Sequence, residues 1–88
     1  IRYADDHILD YMEVDASHAI FEVEMPYEWI GKTIGELDIR KKHNINILAV
    51  KSDEGEVSVA ISTDTCLTAG STLLVLGDYK AIQKCFHI

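Results

Sequence analysis

"LDIRKKHNINILAV", residues 37–50, joins the end of one periodicity to the start of another. Arg40, Lys41, Lys42 and His43 close a short helical stretch, at the end where the partial negative charge of a helix C-terminus favours cations. Asn44 then stands where a helix turns off through left-handed backbone, a conformation Gly takes most readily and Asn next. From Ile45 the β-branched and apolar run "INILAVK" predicts a strand. A short helix feeding directly into a strand points to a mixed α and β domain.

Working upstream, Thr33 and Glu36 fit a capping box, in which each side chain satisfies a backbone N–H of the other residue. Asp38 is a residue type that caps a second turn, "IRKKH", and two short helices or one bent helix are equally compatible with the pattern. Trp29 is expected to fill the core. Before it, Phe21, Val23 and Met25 alternate with Glu22 and Glu24, the period-two pattern of a strand with one wet face, which Pro26 stops. A turn at "DASH", residues 15–18, separates this strand from an earlier one, and a short helical or irregular lead-in precedes both.

Downstream, "SDEGE" supplies a turn around Gly55 and "VSVAI" returns as the second strand of a hairpin. "STDTCLTAGS" reads as a loop with Gly70 as its turn residue. "TLLVLG" is nearly continuous in apolar residues and predicts a central strand covered on both faces. Asp78 caps a last helix, "YKAIQKCF", with Ala81, Ile82, Cys85 and Phe86 as its apolar stripe. The order predicts an α+β fold, a small mixed β-sheet packed with short helices.

The chain has 88 residues and is read as one domain over 1–88, with 1–18 as lead-in and first strand and 19–88 as core. A chain of this size buries only about 60–65% of its extended surface, so it is expected to lean on a partner subunit. It opens on Ile1 and not on Met, the start expected of a piece of a longer protein. No apolar run approaches the ~20 residues of a membrane span, and no signal peptide is visible.

A formal charge of −7 opposes nucleic acid, because phosphate neutralisation needs clustered Lys and Arg. The distribution is less uniform than the total. Five of the eight basic residues, Lys32, Arg40, Lys41, Lys42 and Lys51, fall within positions 32–51, a local field suited to one small anion. Cys66 and Cys85 form no CxxC pair and are read as ordinary thiols; His7, His18, His43 and His87 are scattered, so no metal site is expected. No nucleophile, base and orienting group share a frame, and no glycine-rich phosphate loop is present, so neither catalysis nor a bound cofactor is expected.

"WIGKTIGELDIRKKHNINILAVK" followed by "LTAGSTLLVLGDYKAIQKC" resembles the C-terminal domain of the regulators of potassium conductance, the RCK-C or TrkA C-terminal domain. The resemblance runs from about Ile20 to Phe86. It is carried by Trp29–Thr33, Glu36–Arg40, Asn46–Ala49 and Ala69–Gly77, with Asn44 where the family usually has Gly and Ser71 where it often has Asp. The resemblance implies a dimeric cytoplasmic lobe that regulates a membrane-embedded potassium transporter or channel subunit, of the Ktr type, without the preceding nucleotide-binding lobe. In some members that lobe pair binds cyclic di-AMP, and the resemblance then implies Ile34, Asp38, Ile39, Arg40, Asn46 and Ile47 as the ligand-binding positions.

The chemistry of these residues suits that ligand. A two-fold symmetric dinucleotide can take the same contacts twice from a symmetric dimer. Arg40 offers a fork of donors to a phosphate, Asn46 can donate and accept on an adenine edge, and the isoleucines supply apolar walls. Each residue also has a plainer role. Asp38 is open between helix cap and ligand contact, Arg40 between phosphate and a surface pair with Asp38 or a Glu, and Ile34, Ile39 and Ile47 between walls and core. Asn46 is expected to be buried at a dimer interface, with Ile45 and Ile47 partly exposed in a lone protomer. Two other assignments remain: a passive dimerisation and transmission lobe with no ligand of its own, or the same module attached to a cation antiporter or a transcription regulator.

Overall fold

The computed structural model describes residues 8–86; the lead-in before Ile8 and two of the four histidines, His7 and His87, lie outside the described residues. Five strands form one sheet: β1 (Ile8–Glu13), β2 (His18–Glu24), β3 (Ile45–Lys51), β4 (Val57–Ser58) and β5 (Thr72–Asp78), in the spatial order β1-β2-β5-β3-β4. Three short helices accompany it, α1 (Ile34–Leu37), α2 (Ile39–His43) and α3 (Tyr79–Phe86), with a single 3-10 turn at Tyr27–Trp29. The sheet expected to be mixed is antiparallel in all four of its pairings.

β5 is central, hydrogen-bonded to β2 on one side and β3 on the other. Its alternation sends Leu73 and Val75 into the core beside Phe21 and Val23 of β2, all at most 1% exposed. The buried helix residues Ile39, Ile82 and Phe86 and the half-turn residue Trp29 join this same cluster, with the Trp29 and Phe86 rings 5.3 Å apart. Asp78 caps α3, its Oδ1 accepting from the N–H groups of Lys80 and Ala81 at 2.9 and 3.4 Å. The expectation that β5 is covered on both faces fails for the other face. There Leu74 and Leu76 are only half-buried, because the apolar residues of every described helix are spent on the inward side.

The hairpin after β3 forms at the expected turn, where Gly55 takes φ 91° and the Ser52 N–H donates to the Glu56 carbonyl at 2.8 Å. Its return strand is shorter than "VSVAI": only Val57 and Ser58 pair, with Lys51 and Val50. Val59 and Ala60 leave the sheet because the chain beyond them is held elsewhere. The Ile34 N–H donates to the Thr65 carbonyl at 3.0 Å and the Gly35 N–H to the Thr63 carbonyl at 2.9 Å, so this loop satisfies two of the N–H groups a helix start leaves free. Leu67 continues the pairing in both directions, donating to Lys32 O at 2.9 Å and accepting from Gly31 N at 2.8 Å. Its side chain is 0% exposed.

Candidate functional site

The segment from Thr33 to Ile47 is shaped by its caps. The Thr33 Oγ1 accepts from the Glu36 N–H at 3.2 Å, and the Glu36 carboxylate accepts from the Thr33 N–H at 3.0 Å, the capping box expected. That backbone N–H, followed by the Thr33 hydroxyl, holds the Glu36 carboxyl below its ordinary pKa. The helical stretch then splits in two at Asp38, which adopts left-handed backbone at φ 50°, ψ 43°. Its side chain makes no cap hydrogen bond to α2, which corrects the capping role: a left-handed Asp38 does not hold the extended geometry from which an N-cap side chain reaches back. Asn44 ends α2 as expected, left-handed at φ 57°, ψ 40°.

These turns fold α1 and α2 around the start of β3 and leave a recess of about 390 Å³. All six residues singled out in the sequence, Ile34, Asp38, Ile39, Arg40, Asn46 and Ile47, line it. Ile34 and Ile47 are half-buried and Asp38 and Arg40 exposed, so the isoleucines form walls and the charged groups a rim. Ile39 is 1% exposed and serves as core and floor together. Among the described residues Arg40 makes no ion pair and no side-chain hydrogen bond, so the surface pair with Asp38 does not form. Lys41 and Lys42 are exposed beside it at the end of α2, adding positive potential without touching the recess.

Asn46 is exposed in the lone protomer, alternating outward from a strand whose inward residues are Ile45 and Ile47, where a dimer interface could cover it. One placement differs from expectation. Ile45 is the buried one, 1% exposed, and packs in the core beneath Gly77, whose backbone leaves it room.

The sequence did not point to the opposite wall, Ile61, Ser62 and Thr63. Nothing in a polar run such as "STDT" names the partner it docks on. Gly35 did carry a signal: a glycine inside a one-turn helix costs about 1 kcal/mol against Ala and marks a close backbone approach. A Cβ there would meet the Thr63 Cβ and carbonyl oxygen at 3.0 Å, so Gly35 is what lets the two walls touch.

The recess presents apolar surface, one unpaired guanidinium, one carboxylate and one amide, which suits an anionic ligand with planar apolar parts. Among the described residues no helix is long and apolar enough to cross a membrane, and no group of His, Cys, Asp and Glu is placed to hold a metal ion.

The Ktr system potassium uptake protein C of Bacillus subtilis is 29% identical over 79 residues, 90% of this chain and 35% of that protein. The K(+)/H(+) antiporter subunit KhtT of the same organism is 30% identical over 67 residues, 76% of this chain and 41% of that protein. The chain thus spans well under half the length of the curated relatives it matches. Among solved structures, the RCK C domain of the potassium transport protein KtrA in complex with cyclic diadenosine monophosphate superposes with a TM-score of 0.72 at 28% identity, covering 81% of this chain and 84% of that one. The TrkA-C domain matches residues 18–87, which takes in every element that builds the recess, and the chain therefore belongs to the TrkA-C, or RCK-C, domain family.

Proposed function

We propose that this chain is the ligand-sensing regulatory lobe of a potassium transport system and that it binds cyclic di-AMP between two copies related by a two-fold axis. The observation that carries this reading is the convergence of Ile34, Asp38, Ile39, Arg40, Asn46 and Ile47 on one recess with the Arg40 guanidinium unengaged. The named ligand of the KtrA domain supports the choice of cyclic dinucleotide. Each copy supplies half a site: Arg40 to one phosphate, Asn46 to an adenine edge, and the isoleucines to the purine faces. Asp38 is placed to accept from a ligand N–H or hydroxyl. The function is binding and not catalysis, with no cofactor, and the lobe acts in the cytoplasm against a membrane-embedded transporter or channel subunit. The likeness to an antiporter subunit favours a second reading in which the same lobe serves a cation antiporter; the ligand chemistry is unchanged between the two.

Calorimetric titration of cyclic di-AMP, ATP, NAD and cyclic di-GMP against the chain tests the proposal. Cyclic di-AMP is expected to bind with one ligand per two copies. Two-fold symmetry removes two charge-assisted contacts with each Arg40→Ala substitution, about 3–6 kcal/mol at roughly 1.5–3 for each, which exceeds a hundredfold in affinity. Lys41→Ala and Lys42→Ala, acting through a screened field, cost much less and lose their effect as salt is raised. Arg40→Lys rescues only part, since an ammonium lacks the fork. Undiminished binding by Arg40→Ala removes the site assignment, and dimerisation without binding of any of the four nucleotides leaves a passive transmission lobe.

A further inference from the structure

The sheet ends on two edge strands, β1 and β4, and only β1 is guarded. An open edge accepts a further strand unless a bulge, a charge or a proline blocks it. On β1 the register slips between Ile8 and Asp10, and the Asp10 carboxylate accepts from the Tyr11 N–H at 2.7 Å. No bulge, carboxylate cap or proline occurs from Val57 to Ile61. The Ser52 N–H donates to the Glu56 carbonyl at 2.8 Å, which turns the backbone groups of Glu56 toward β3 and, by alternation, those of Val57 toward the open edge. Beyond Ser58, no hydrogen bond engages the backbone of Val59, Ala60 or Ile61 among the described residues. Their side chains lack a neighbour as well, with Val57 59% and Val59 74% exposed. The run "VSVAI" thus carries strand-forming residues along its whole length, while only Val57 and Ser58 are paired.

We propose that the β4 edge, from Val57 through Val59, is a docking site for an extended segment of another protein, one whose apolar residues alternate and whose ends carry Lys or Arg. Such a segment adds a strand to the sheet: main-chain hydrogen bonds to Val57 and Val59 supply affinity, and its apolar side chains cover the exposed valines. Charge selects the partner. Asp53, Glu54, Glu56 and Asp64 are exposed at the two ends of this stretch, and no Lys or Arg lies between positions 52 and 66. A second copy of this chain does not meet that requirement. Paired antiparallel about Val59, it sets Glu54 of each copy against Asp64 of the other, and paired in parallel it sets each carboxylate beside its own counterpart, arrangements that like charges destabilise. The stretch ends at Ile61, which lines the recess, so the docked strand lies beside the ligand and does not occupy its place. The inference goes beyond the ligand reading above and does not depend on it.

A synthetic peptide of alternating valine and threonine with a lysine pair at each end is the probe, read by amide hydrogen exchange on the 88-residue chain. It is expected to slow exchange at the Val57 and Val59 N–H groups and to leave Tyr11 and Glu13 of β1 unchanged. Val59→Pro removes a donor that β3 does not use and is expected to weaken binding by roughly tenfold or more. Val59→Ala keeps that donor and is expected to bind within about threefold of the parent. The same peptide with glutamate pairs in place of lysine is expected not to bind, and the lysine peptide to lose affinity as salt is raised. No protection by the lysine peptide, equal binding of the glutamate peptide, or equal binding to Val59→Pro each overturns the inference. Protection of Val59 in the free chain that vanishes on dilution gives the edge to a second copy and overturns it as well. If Val59→Pro loses its folded circular dichroism, the protection pattern and the glutamate peptide on the parent chain decide. Peptide binding by a chain that takes up no cyclic di-AMP leaves this inference standing and removes the ligand assignment alone.

Discussion

Leu67 lies outside every helix and strand, yet its removal is expected to be among the most damaging changes to this domain. Its side chain is 0% exposed, and its backbone is held on both sides, at 2.9 Å to Lys32 and 2.8 Å from Gly31. Leu→Ala substitutions in cores cost about 2–5 kcal/mol, the larger values arising where the surroundings cannot collapse into the cavity. Two short backbone hydrogen bonds fix the chain here, which places Leu67→Ala toward the upper half, about 3–5 kcal/mol. An 88-residue chain has about 4–13 kcal/mol in total at typical values per residue, so the variant forfeits roughly a quarter of its stability at the least. Urea unfolding followed by circular dichroism measures this as a lower midpoint at unchanged slope. Val59→Ala, at a side chain 74% exposed, is the control and is expected within about 0.5 kcal/mol of the parent. A loss below about 1 kcal/mol for Leu67→Ala refutes the reasoning: the loop that carries the 61–63 wall is then not anchored through this side chain.

Three further outcomes follow from the geometry. Gly35→Ala forces a Cβ to within 3.0 Å of Thr63 backbone and side chain; it is expected to destabilise by about 1–3 kcal/mol and to weaken ligand binding, read by urea melts and calorimetry. The Asp15 carboxyl is pulled from 3.8 to about 2, first by the Ser17 N–H and then by the His18 side chain and N–H. Its folded value lies below its unfolded one, so its contribution is fully present above about pH 4 and is lost as pH falls toward 2; Asp15→Asn should flatten that part of the stability profile, and NMR titration of the carboxyl checks the midpoint. Burial pushes the Cys85 thiol up to about 11 while Cys66 is exposed, so a thiolate-selective reagent at pH 8 is expected to label Cys66 in the folded protein and Cys85 only on unfolding, as peptide mapping will show.

Elements whose cause is local were legible in the sequence. The capping box at Thr33, the left-handed exit at Asn44, the Gly55 turn and the Asp78 cap depend on residues within four positions of one another, and each formed as expected. Asp38 failed because its residue type suits a cap in extended backbone and also suits left-handed backbone, and the residues around it in sequence do not decide between them. The exposure of Ile45 was misjudged for a related reason. A β-branched residue beside Asn46 reads as part of an interface, but its register against Gly77, which leaves it room in the core, is a tertiary fact. The six residues lining one side of the recess came from family resemblance, while the 61–63 wall is visible only once Gly35 and Thr63 are in contact.

The position of β5 has a consequence for synthesis. It is the strand that joins β2 to β3, and yet residues 72–78 are the last strand to leave the ribosome. Until they emerge, β1–β2 and β3–β4 are isolated hairpins, and an isolated two-stranded hairpin is marginal in water. The β2–β5 pairing also closes a loop of about fifty residues, a non-local step of the kind that slows folding. The nascent lobe therefore exposes its sheet residues to chaperones for most of its translation. A premature stop anywhere before residue 72 leaves this sheet without its central strand.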